Sequence, residues 1–273
     1  VDLEALRALV RFQLDNGVHG LVPLGSTGEA ATLTLAEREA VVNAVRDEAR
    51  GRAPIVVGAS TNDTRTTIEL VRQAKDLGAD AAMIVMPYYN KPTPDGIVAH
   101  FAAISEAVDM PLVAYNVPSR TGVNLAPATA ARLAAMPKVV GLKEAAGDMA
   151  QAMEIARRTQ GQWSLLSGED ALLFPFLAIG GQGLISVTSN LLPSKMARIY
   201  DLWQAGDLAG SRQQQLELLP AIQAMFSSTN PLPVKAALSL RGLIRNEARL
   251  PLLALSGPTL DALRAELTRL EAI

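Results

Sequence analysis

Val-Val-Gly-Leu-Lys-Glu-Ala, residues 139–145, carries the clearest structural pattern in the sequence. Its apolar run predicts a short parallel strand that is buried on both faces, and the polar residues after it predict a turn into a helix. Lys143 then lies at the carboxyl end of the strand. Burial lowers the pKa of an amine, which is the condition for attack on a carbonyl at neutral pH. The alternative is a lysine with a buried stem whose head reaches water or pairs with Glu144.

Similar apolar stretches recur along the chain and alternate with helical patterns, which indicates parallel βαβ units. Strands are predicted at residues 20–25, 54–60, 81–87, 111–116, 139–145, 163–168 and 183–188. Helices are predicted at 2–16, from Thr34 with a capping box to Glu37, and at 63–77, 95–108, 126–135, 148–160, 170–179 and 193–204. Three further helices are predicted at about 206–226, 232–245 and 257–271.

Polar side chains follow several different strands, among them Thr27, Tyr89, Tyr115 and Lys143. A ring of such residues around one mouth is typical of a (β/α)8 TIM barrel, whereas an open doubly wound sheet gathers its site at one switch point. Because only seven strands are found, we expect a first strand upstream of Val1. We predict two parts: a parallel β/α barrel over 1–205, and C-terminal helices packed on it over 206–273.

Composition narrows the functional classes. The chain has 273 residues, a net charge of −2 and a sequence pI near 5.8, so we expect no nucleic-acid or membrane partner. It has no cysteine, which excludes disulfides and thiol nucleophiles and favours a cytoplasmic location. No stretch has the length of a membrane span. His19 and His100 lack metal-ligand spacing, so no metal site is predicted.

Three loops carry candidate chemistry. Tyr115 at a strand tip can shuttle protons, and Arg120 in the Pro/Gly-bounded turn after it suits a carboxylate; the alternatives are packing and a surface ion pair. Tyr88-Tyr89 lies in a proline-bounded loop, and we expect this pair to serve in catalysis or in packing at an interface. Gly25-Ser-Thr-Gly28 lacks the P-loop pattern, and its hydroxyls and amides suit a carboxylate or oxyanion.

Taken together, these residues resemble the dihydrodipicolinate synthase/N-acetylneuraminate lyase family of pyruvate-dependent class I aldolases. The resemblance covers nearly the whole chain. The motifs that carry it, in order, are Gly25-Ser-Thr-Gly-Glu29, Pro87-Tyr-Tyr-Asn90, Tyr115-Asn-Val-Pro-Ser-Arg-Thr-Gly122, Leu142-Lys-Glu144, Ser167-Gly-Glu-Asp170, Ile185-Ser-Val-Thr188 and Asn230-Pro-Leu-Pro-Val-Lys235. Tyr88-Tyr89 with Arg120 favours the synthase branch.

The resemblance implies a lyase that condenses pyruvate with L-aspartate 4-semialdehyde in the biosynthesis of lysine through diaminopimelate. Lys143 forms the imine with pyruvate, and no other cofactor is implied. Tyr115 handles protons, and Ser26 and Tyr89 complete a proton relay.

The resemblance also implies the substrate contacts and the assembly. Thr27 holds the pyruvate carboxylate, Arg120 binds the carboxyl group of the aldehyde substrate, and Gly168 and Ile185 line the imine. Tyr89 is supplied by a neighbouring subunit, and the expected assembly is a homotetramer built as a dimer of dimers.

Two departures from the family pattern bear on branch and regulation. Ser26 stands where the synthases usually have threonine. Leu35 and Thr66 stand where lysine-inhibited members carry histidine and glutamate, although Asn62 and Tyr88 remain, so we expect weak or absent lysine feedback. Two alternative functions stay open: a sibling lyase that cleaves a 2-keto-3-deoxy sugar acid or N-acetylneuraminate to pyruvate, and a catalytically silent family member.

Overall fold

The structure, a computed structural model, describes all residues from Val1 to Ile273 and is an α/β fold rich in helices. The α-helices are α1 (Leu3–Asp15), α2 (Leu35–Ala49), α3 (Thr64–Asp76), α4 (Pro94–Ala107), α5 (Pro118–Thr121), α6 (Pro127–Ala134), α7 (Met149–Thr159), α8 (Leu173–Ala178), α9 (Pro193–Gln204), α10 (Leu208–Met225), α11 (Leu232–Leu240) and α12 (Gly257–Arg269). The strands are β1 (Val56–Gly58), β2 (Ala81–Val85), β3 (Leu112–Asn116), β4 (Val139–Glu144), β5 (Ser164–Ser167) and β6 (Gly183–Leu184).

The six strands form one curled parallel sheet, a half-barrel, in the order β1-β2-β3-β4-β5-β6. All five residues of β3 are buried, and β2 is buried except for a half-buried Val85. Strands covered on both faces read as continuous apolar runs, which is why the sequence pattern located them. The strands predicted from residue 54 onward are confirmed, with shorter bounds.

The strand predicted at 20–25 is wrong. This stretch contributes only a single bridge, in which the amide of Leu21 donates to the carbonyl of Pro54 over 2.9 Å. Pro23 has no amide hydrogen to give to a ladder, and Leu24 takes a left-handed φ of 61°. An extended run cannot continue through such a residue. The sheet therefore has six strands and not the expected seven.

The predicted helices are confirmed, including the three after residue 205. Thr34 accepts from the amide of Glu37, and the Glu37 carboxylate accepts from the amide of Thr34, which is the predicted capping box. Helix α11 is shorter than the predicted 232–245, because it ends at Leu240. No helix is both long enough and apolar enough to cross a bilayer.

The chain divides into two compact units. One unit, Ile55–Ile185, contains the whole sheet and α3 to α8, and its core includes the fully buried Ile84, Leu112 and Leu142. The other unit joins residues 1–54 to 186–273 and contains α1, α2 and α9 to α12. Each unit carries part of the predicted site, so each part is described separately below.

Candidate active site

Lys143 lies at the carboxyl end of β4, as predicted. The parallel pairing of β3 with β4 sets Tyr115 opposite Lys143, and Asn116 opposite Glu144. Successive side chains of a strand point to opposite faces, so Tyr115 and Lys143 share one face and Asn116 and Glu144 share the other. The Nζ of Lys143 lies 4.2 Å from the centroid of the Tyr115 ring. The structure thus brings together the two residues on which the predicted chemistry depends.

The surroundings of Lys143 leave more of its amine uncharged at neutral pH than in an ordinary lysine. Burial lowers the pKa of Lys143 to about 8, although the carboxyl groups of Asp170 and Glu169 oppose this shift; the charge of Arg120 adds to it. At pH 7 about one amine in ten is then unprotonated, against fewer than about one in a thousand for an ordinary lysine. A half-buried lysine with this pKa is ready to add to a carbonyl without a separate base.

Gly168 provides the space beside the lysine. Its amide donates to the carbonyl of Glu144 over 2.7 Å, which brings the backbone close to β4. A Cβ at position 168 would lie 2.5 Å from the Cβ of Ala145 and 3.1 Å from the Cε of Lys143. Only glycine fits there without displacing the lysine stem. Ile185 lies just after β6, where its amide donates to Ser167 O over 3.0 Å.

Glu169 and Asp170 form a pair of carboxyl groups near the lysine to which the sequence analysis gave no role. Asp170 is 1% exposed, and burial followed by the charge of Asp170 raises the pKa of Glu169. The sequence signal for this pair is two consecutive carboxyl residues just after the strand β5, because charge is costly at a buried strand end. Their negative potential favours the protonated, positively charged form that a lysine imine also carries.

The predicted side chains of the sheet-bearing unit differ in exposure. Tyr115 is 6% exposed, whereas Tyr89 is 88% exposed and holds a left-handed φ of 69°. Arg120 is exposed on the short helix α5, whose last turn ends at Gly122 with a φ of 69°. Tyr115 is therefore buried beside Lys143, whereas the side chains of Arg120 and Tyr89 are exposed to solvent.

Ser26 and Thr27 lie in the other unit, in a loop of two overlapping turns. Ser26 is exposed and Thr27 is half-buried. The side-chain amide of Asn230 donates to the Thr27 hydroxyl over 3.0 Å. The same hydroxyl can donate to Asn230 Oδ1, but that contact is long at 3.5 Å, so its hydrogen can turn to a closer acceptor such as a carboxylate. The motif Asn230–Lys235 belongs to the family resemblance, but nothing in the sequence pattern predicts its contact with Thr27.

The same loop is also held by ion pairs. Lys235 donates to the Glu29 carboxylate, which also accepts from the backbone amide of Arg249 over 3.3 Å. The Arg249 guanidinium binds the Thr32 carbonyl over 2.8 Å and pairs with Glu37. We call the contacts of Asn230, Lys235 and Arg249 the loop clamp. They join the loop to residues more than 200 positions away in sequence.

A lysine of lowered pKa at the end of a parallel strand, beside a buried tyrosine, defines an imine-forming enzyme of the class I aldolase type. A family model described as the dihydrodipicolinate synthetase family matches residues 1–270. The chain belongs to this family.

Known proteins agree with the family match. The 4-hydroxy-tetrahydrodipicolinate synthase of Nitratidesulfovibrio vulgaris (strain Miyazaki F) is 47% identical over 265 residues, which cover 97% of this chain and 91% of that protein. The solved dihydrodipicolinate synthase of Thermotoga maritima is 44% identical with a TM-score of 0.98, covering 100% of this chain and 94% of that one. The chloride-inhibited synthase of Acinetobacter baumannii, solved with pyruvate, is 40% identical with the same TM-score and coverage.

Proposed function

We propose that this chain condenses pyruvate with L-aspartate 4-semialdehyde to give 4-hydroxy-tetrahydrodipicolinate, a step of lysine biosynthesis. The observation that carries the proposal is the pairing of Lys143, with a pKa of about 8, and Tyr115 on one face of the sheet. The names of the relatives support the choice of substrates. The reaction needs no cofactor beyond the imine itself, and we place it in the cytoplasm, in keeping with a chain free of cysteine.

The reaction begins at the amine. Nζ of Lys143 adds to the keto carbon of pyruvate, and the keto oxygen leaves as water once it has gained two protons. The resulting iminium draws electrons from the methyl group, so one methyl proton is lost to the tyrosine relay and an enamine forms. The enamine carbon then bonds to the aldehyde carbon, and the aldehyde oxygen takes up a proton. The amino group of the semialdehyde moiety then adds to the imine carbon and displaces Nζ of Lys143, which closes the six-membered ring of the product and restores the free amine.

Tyr115 needs partners because a phenol with a pKa near 10 is a poor base at neutral pH. We assign Ser26 and Tyr89 to the relay that links Tyr115 with solvent. The exposure of Tyr89 supports a position at a subunit interface, since a tyrosine ring that is 88% exposed gains by packing on a second copy of the chain. The assembly that fits this role is a homo-oligomer, with a dimer of dimers as its full form.

Four residues bind the substrates in this proposal. Thr27, held by Asn230, donates its hydroxyl hydrogen to the pyruvate carboxylate. Arg120 offers its guanidinium to the carboxylate of the semialdehyde, and its exposure fits a ligand that enters from solvent. Gly168 and Ile185 line the imine. A polyol aldehyde would give Arg120 nothing to pair with, which favours the synthase over a sugar-acid lyase.

The fold that goes with this function is a (β/α)8 barrel. We propose that residues 1–205 belong to the barrel and residues 206–273 to a C-terminal helical part. The supporting finding is the TM-score of 0.98 to solved synthases over the whole chain. The loop clamp gives the C-terminal part a direct task, because Asn230 and Lys235 reach the loop that carries Thr27.

Feedback by lysine is expected to be weak or absent. Leu35 is 63% exposed and apolar, and the hydroxyl of Thr66 is occupied by Asp63 at 2.6 Å. Neither offers a carboxylate to a cationic amino acid. Condensation rates measured with increasing lysine should stay constant into the millimolar range, and inhibition at micromolar lysine would contradict this expectation.

The test of the proposed function follows pyruvate loss on addition of L-aspartate 4-semialdehyde, with cleavage of a 2-keto-3-deoxy sugar acid measured in parallel. We expect consumption that depends on the semialdehyde and no cleavage. Borohydride reduction with labelled pyruvate reports the imine independently of the aldehyde. Label on the protein without condensation would reject the proposed aldehyde partner, and no label at all would support a catalytically silent chain.

A further inference from the structure

A buried carboxylate lies directly behind the reactive lysine. Glu144 is 1% exposed and points away from Lys143, to the opposite face of the sheet. Each carboxylate oxygen accepts from the side-chain amide of Asn116 over 3.0 Å. Ala146 N donates to Oε1 over 2.7 Å, and Gln151 Nε2 donates to Oε2 over 3.3 Å. The partners of Glu144 are neutral donors and no salt bridge reaches it, and burial raises the pKa of this carboxyl group although the donors oppose the shift. A buried carboxyl group with four hydrogen bonds is costly to build, which points to a role for it.

Asn116 is the second half of this arrangement. It is fully buried, and its Oδ1 accepts from the amide of Leu125 over 2.9 Å. Its Nδ2 donates to Asn124 Oδ1 over 2.9 Å in addition to Glu144. One side chain therefore closes the loop of residues 117–125 onto the end of β3. That loop contains α5 and hence Arg120.

A pair of amides completes the network at its solvent side. Asn124 Nδ2 donates to Gln151 Oε1 over 2.7 Å, and Gln151 Nε2 donates back to Asn124 Oδ1 over 3.1 Å. Gln151 lies in the first turn of α7. The network therefore connects the ends of β3 and β4, the loop with Arg120, and the start of a helix.

The consequence for the reactive face follows from the strand geometry. Asn116 and Glu144 are the immediate neighbours of Tyr115 and Lys143, on the same two strands and in the same register. A shift of the Asn116–Glu144 contact moves both strand tips, and with them the 4.2 Å approach of Lys143 Nζ to the Tyr115 ring. Misplacement of about 1 Å in such a pair is enough to cost roughly a hundredfold in rate.

We propose that Asn116 and Glu144 form a positioning pair that aligns Tyr115 with Lys143 and orients Arg120 for the carboxylate of the second substrate. The inference rests on the proposed condensation for the part that concerns Arg120. The part that concerns Lys143 depends only on imine formation. Neither residue touches a substrate in this proposal, and both act through their neighbours in the strands and the loop.

Two single substitutions disturb the pair without changing its size. In Glu144→Gln, the oxygen that faces Ala146 is kept, but the new amide group faces the amide of Asn116, donor against donor. In Asn116→Asp, two carboxylates face each other in a buried place, and one of them must be protonated. We expect kcat/KM for the semialdehyde to fall by about 10- to 100-fold in each, mostly through KM. The pH midpoint of borohydride trapping should also move upward from about 8 as water reaches Lys143.

The double substitution Asn116→Asp with Glu144→Gln restores the pairing with reversed polarity. The glutamine amide at 144 donates to the aspartate at 116, while Ala146 and Leu125 still donate to oxygens. The exposed Asn124 and the half-buried Gln151 adapt by turning their amides over, because they bond each other reciprocally. We expect the double variant to recover to within about threefold of the original kcat/KM and pH midpoint.

Thr159→Val is the matched control for lost stability. Thr159 is buried on α7, the helix of Gln151, and its hydroxyl bonds only within the helix, to Ile155 O over 3.0 Å. It should lower the thermal midpoint while leaving the semialdehyde KM and the trapping midpoint unchanged. Equal changes of both in Thr159→Val, unchanged single variants, or a double variant as poor as the worse single variant would each overturn the positioning role.

The two readouts separate this inference from the proposed function. If the unaltered chain traps pyruvate but does not condense it with the semialdehyde, the proposed function is wrong. The pH midpoints of the single and double variants then still decide whether the pair aligns Lys143. If the unaltered chain condenses and only the single variants fail, with recovery in the double variant, both are supported.

Discussion

Lys143 and Thr27 are held in place in two different ways. Lys143 stands in a strand between two hydrogen-bonded neighbours, and the backbone ladder of β3, β4 and β5 sets its position. Thr27 stands in a loop that the loop clamp of Asn230, Lys235 and Arg249 joins to distant parts of the sequence. A ladder needs no particular side chains, whereas every contact of the clamp includes at least one specific side chain. The backbone ladder therefore sets where Lys143 stands, and Asn116 and Glu144 adjust the position of its side chain, whereas the place of Thr27 depends on three residues distant in sequence.

The largest effect is expected from the lysine itself. Lys143→Met removes the nucleophile and should reduce condensation by at least about a thousandfold and abolish borohydride incorporation of pyruvate. The ladder remains, so circular dichroism should show an intact fold. The exposed Lys75→Met serves as control and should behave like the unaltered chain. Pyruvate incorporation in Lys143→Met would assign the imine to another lysine.

The pH dependence of trapping tests whether burial activates the amine. Because burial lowers the pKa of Lys143 to about 8, incorporation should rise about tenfold per pH unit below pH 8 and level off above it. The folded chain then binds fewer protons than the unfolded chain between pH 8 and about 10, so this lysine makes stability rise with pH in that window. A trapping profile that still rises at pH 10 would contradict the lowered pKa. The same titration on Lys143→Met should lack the stability increase.

Gly168→Ala tests the space beside the lysine. The new methyl group would lie 2.5 Å from the Ala145 Cβ and 3.1 Å from the Lys143 Cε, so the backbone near Ala145 and the lysine stem must shift. Trapping should fall by roughly 10- to 50-fold, because a displaced amine loses its approach to the keto carbon. Gly161→Ala is a control at a glycine with no atom near its missing Cβ, although its φ of 75° costs some stability. Equal trapping in both variants would show that the space at Gly168 is not limiting.

The strands that carry Lys143 were predictable from the sequence, whereas the contacts that hold the loop of Thr27 were not. Alternating strands and helices, the place of Lys143 at a strand end and the capping box at Thr34 all follow from local pattern, which reflects local geometry. The strand prediction for residues 20–25 was wrong because an apolar run indicates burial and does not by itself indicate hydrogen bonding. Pro23 and the turn at Leu24 prevent strand pairing there.

Contacts between side chains distant in sequence gave no local signal. Asn230 lies 203 residues from Thr27. The family resemblance includes the motif Asn230–Lys235, but only the structure shows that Asn230 forms a hydrogen bond with the Thr27 hydroxyl. Glu144 was considered as an ion-pair partner of Lys143; instead it faces Asn116 on the other side of the sheet, since neighbouring strand residues alternate in direction.

Asn230→Ala breaks the first contact of the loop clamp. Without the amide donor, the Thr27 hydroxyl turns freely and its hydrogen is no longer directed to a carboxylate. We expect the pyruvate KM to rise about tenfold with a smaller change in kcat, because a hydrogen bond to a charged group contributes about 1.5–3 kcal/mol. Asn230→Asp should be worse than Asn230→Ala, since an aspartate can only accept from Thr27 and also repels pyruvate. The opposite order would argue against Thr27 as the carboxylate ligand.

The smallest effect is expected at the outer end of the clamp. Arg249 and Thr34 hold the pKa of Glu37 at about 2. A carboxyl group with a lowered pKa stabilises the folded chain above its unfolded value near 4.5, and this contribution disappears as the pH falls toward 2. Arg249→Gln should therefore lower the thermal midpoint at pH 7, and the difference from the unaltered chain should shrink below pH 4.5.

The matched control for Arg249 is Arg157, which pairs with Glu154 within α7 and lowers the pKa of Glu154 to about 2, with help from Arg158. This pair is as strong locally but is attached to no loop. Arg249→Gln should raise the pyruvate KM about twofold by loosening the contacts of Thr32 and Glu29, whereas Arg157→Gln should leave it unchanged. Equal KM values in the two variants would show that Arg249 does not help to position Thr27. The loop clamp would then consist of the contacts of Asn230 and Lys235 alone.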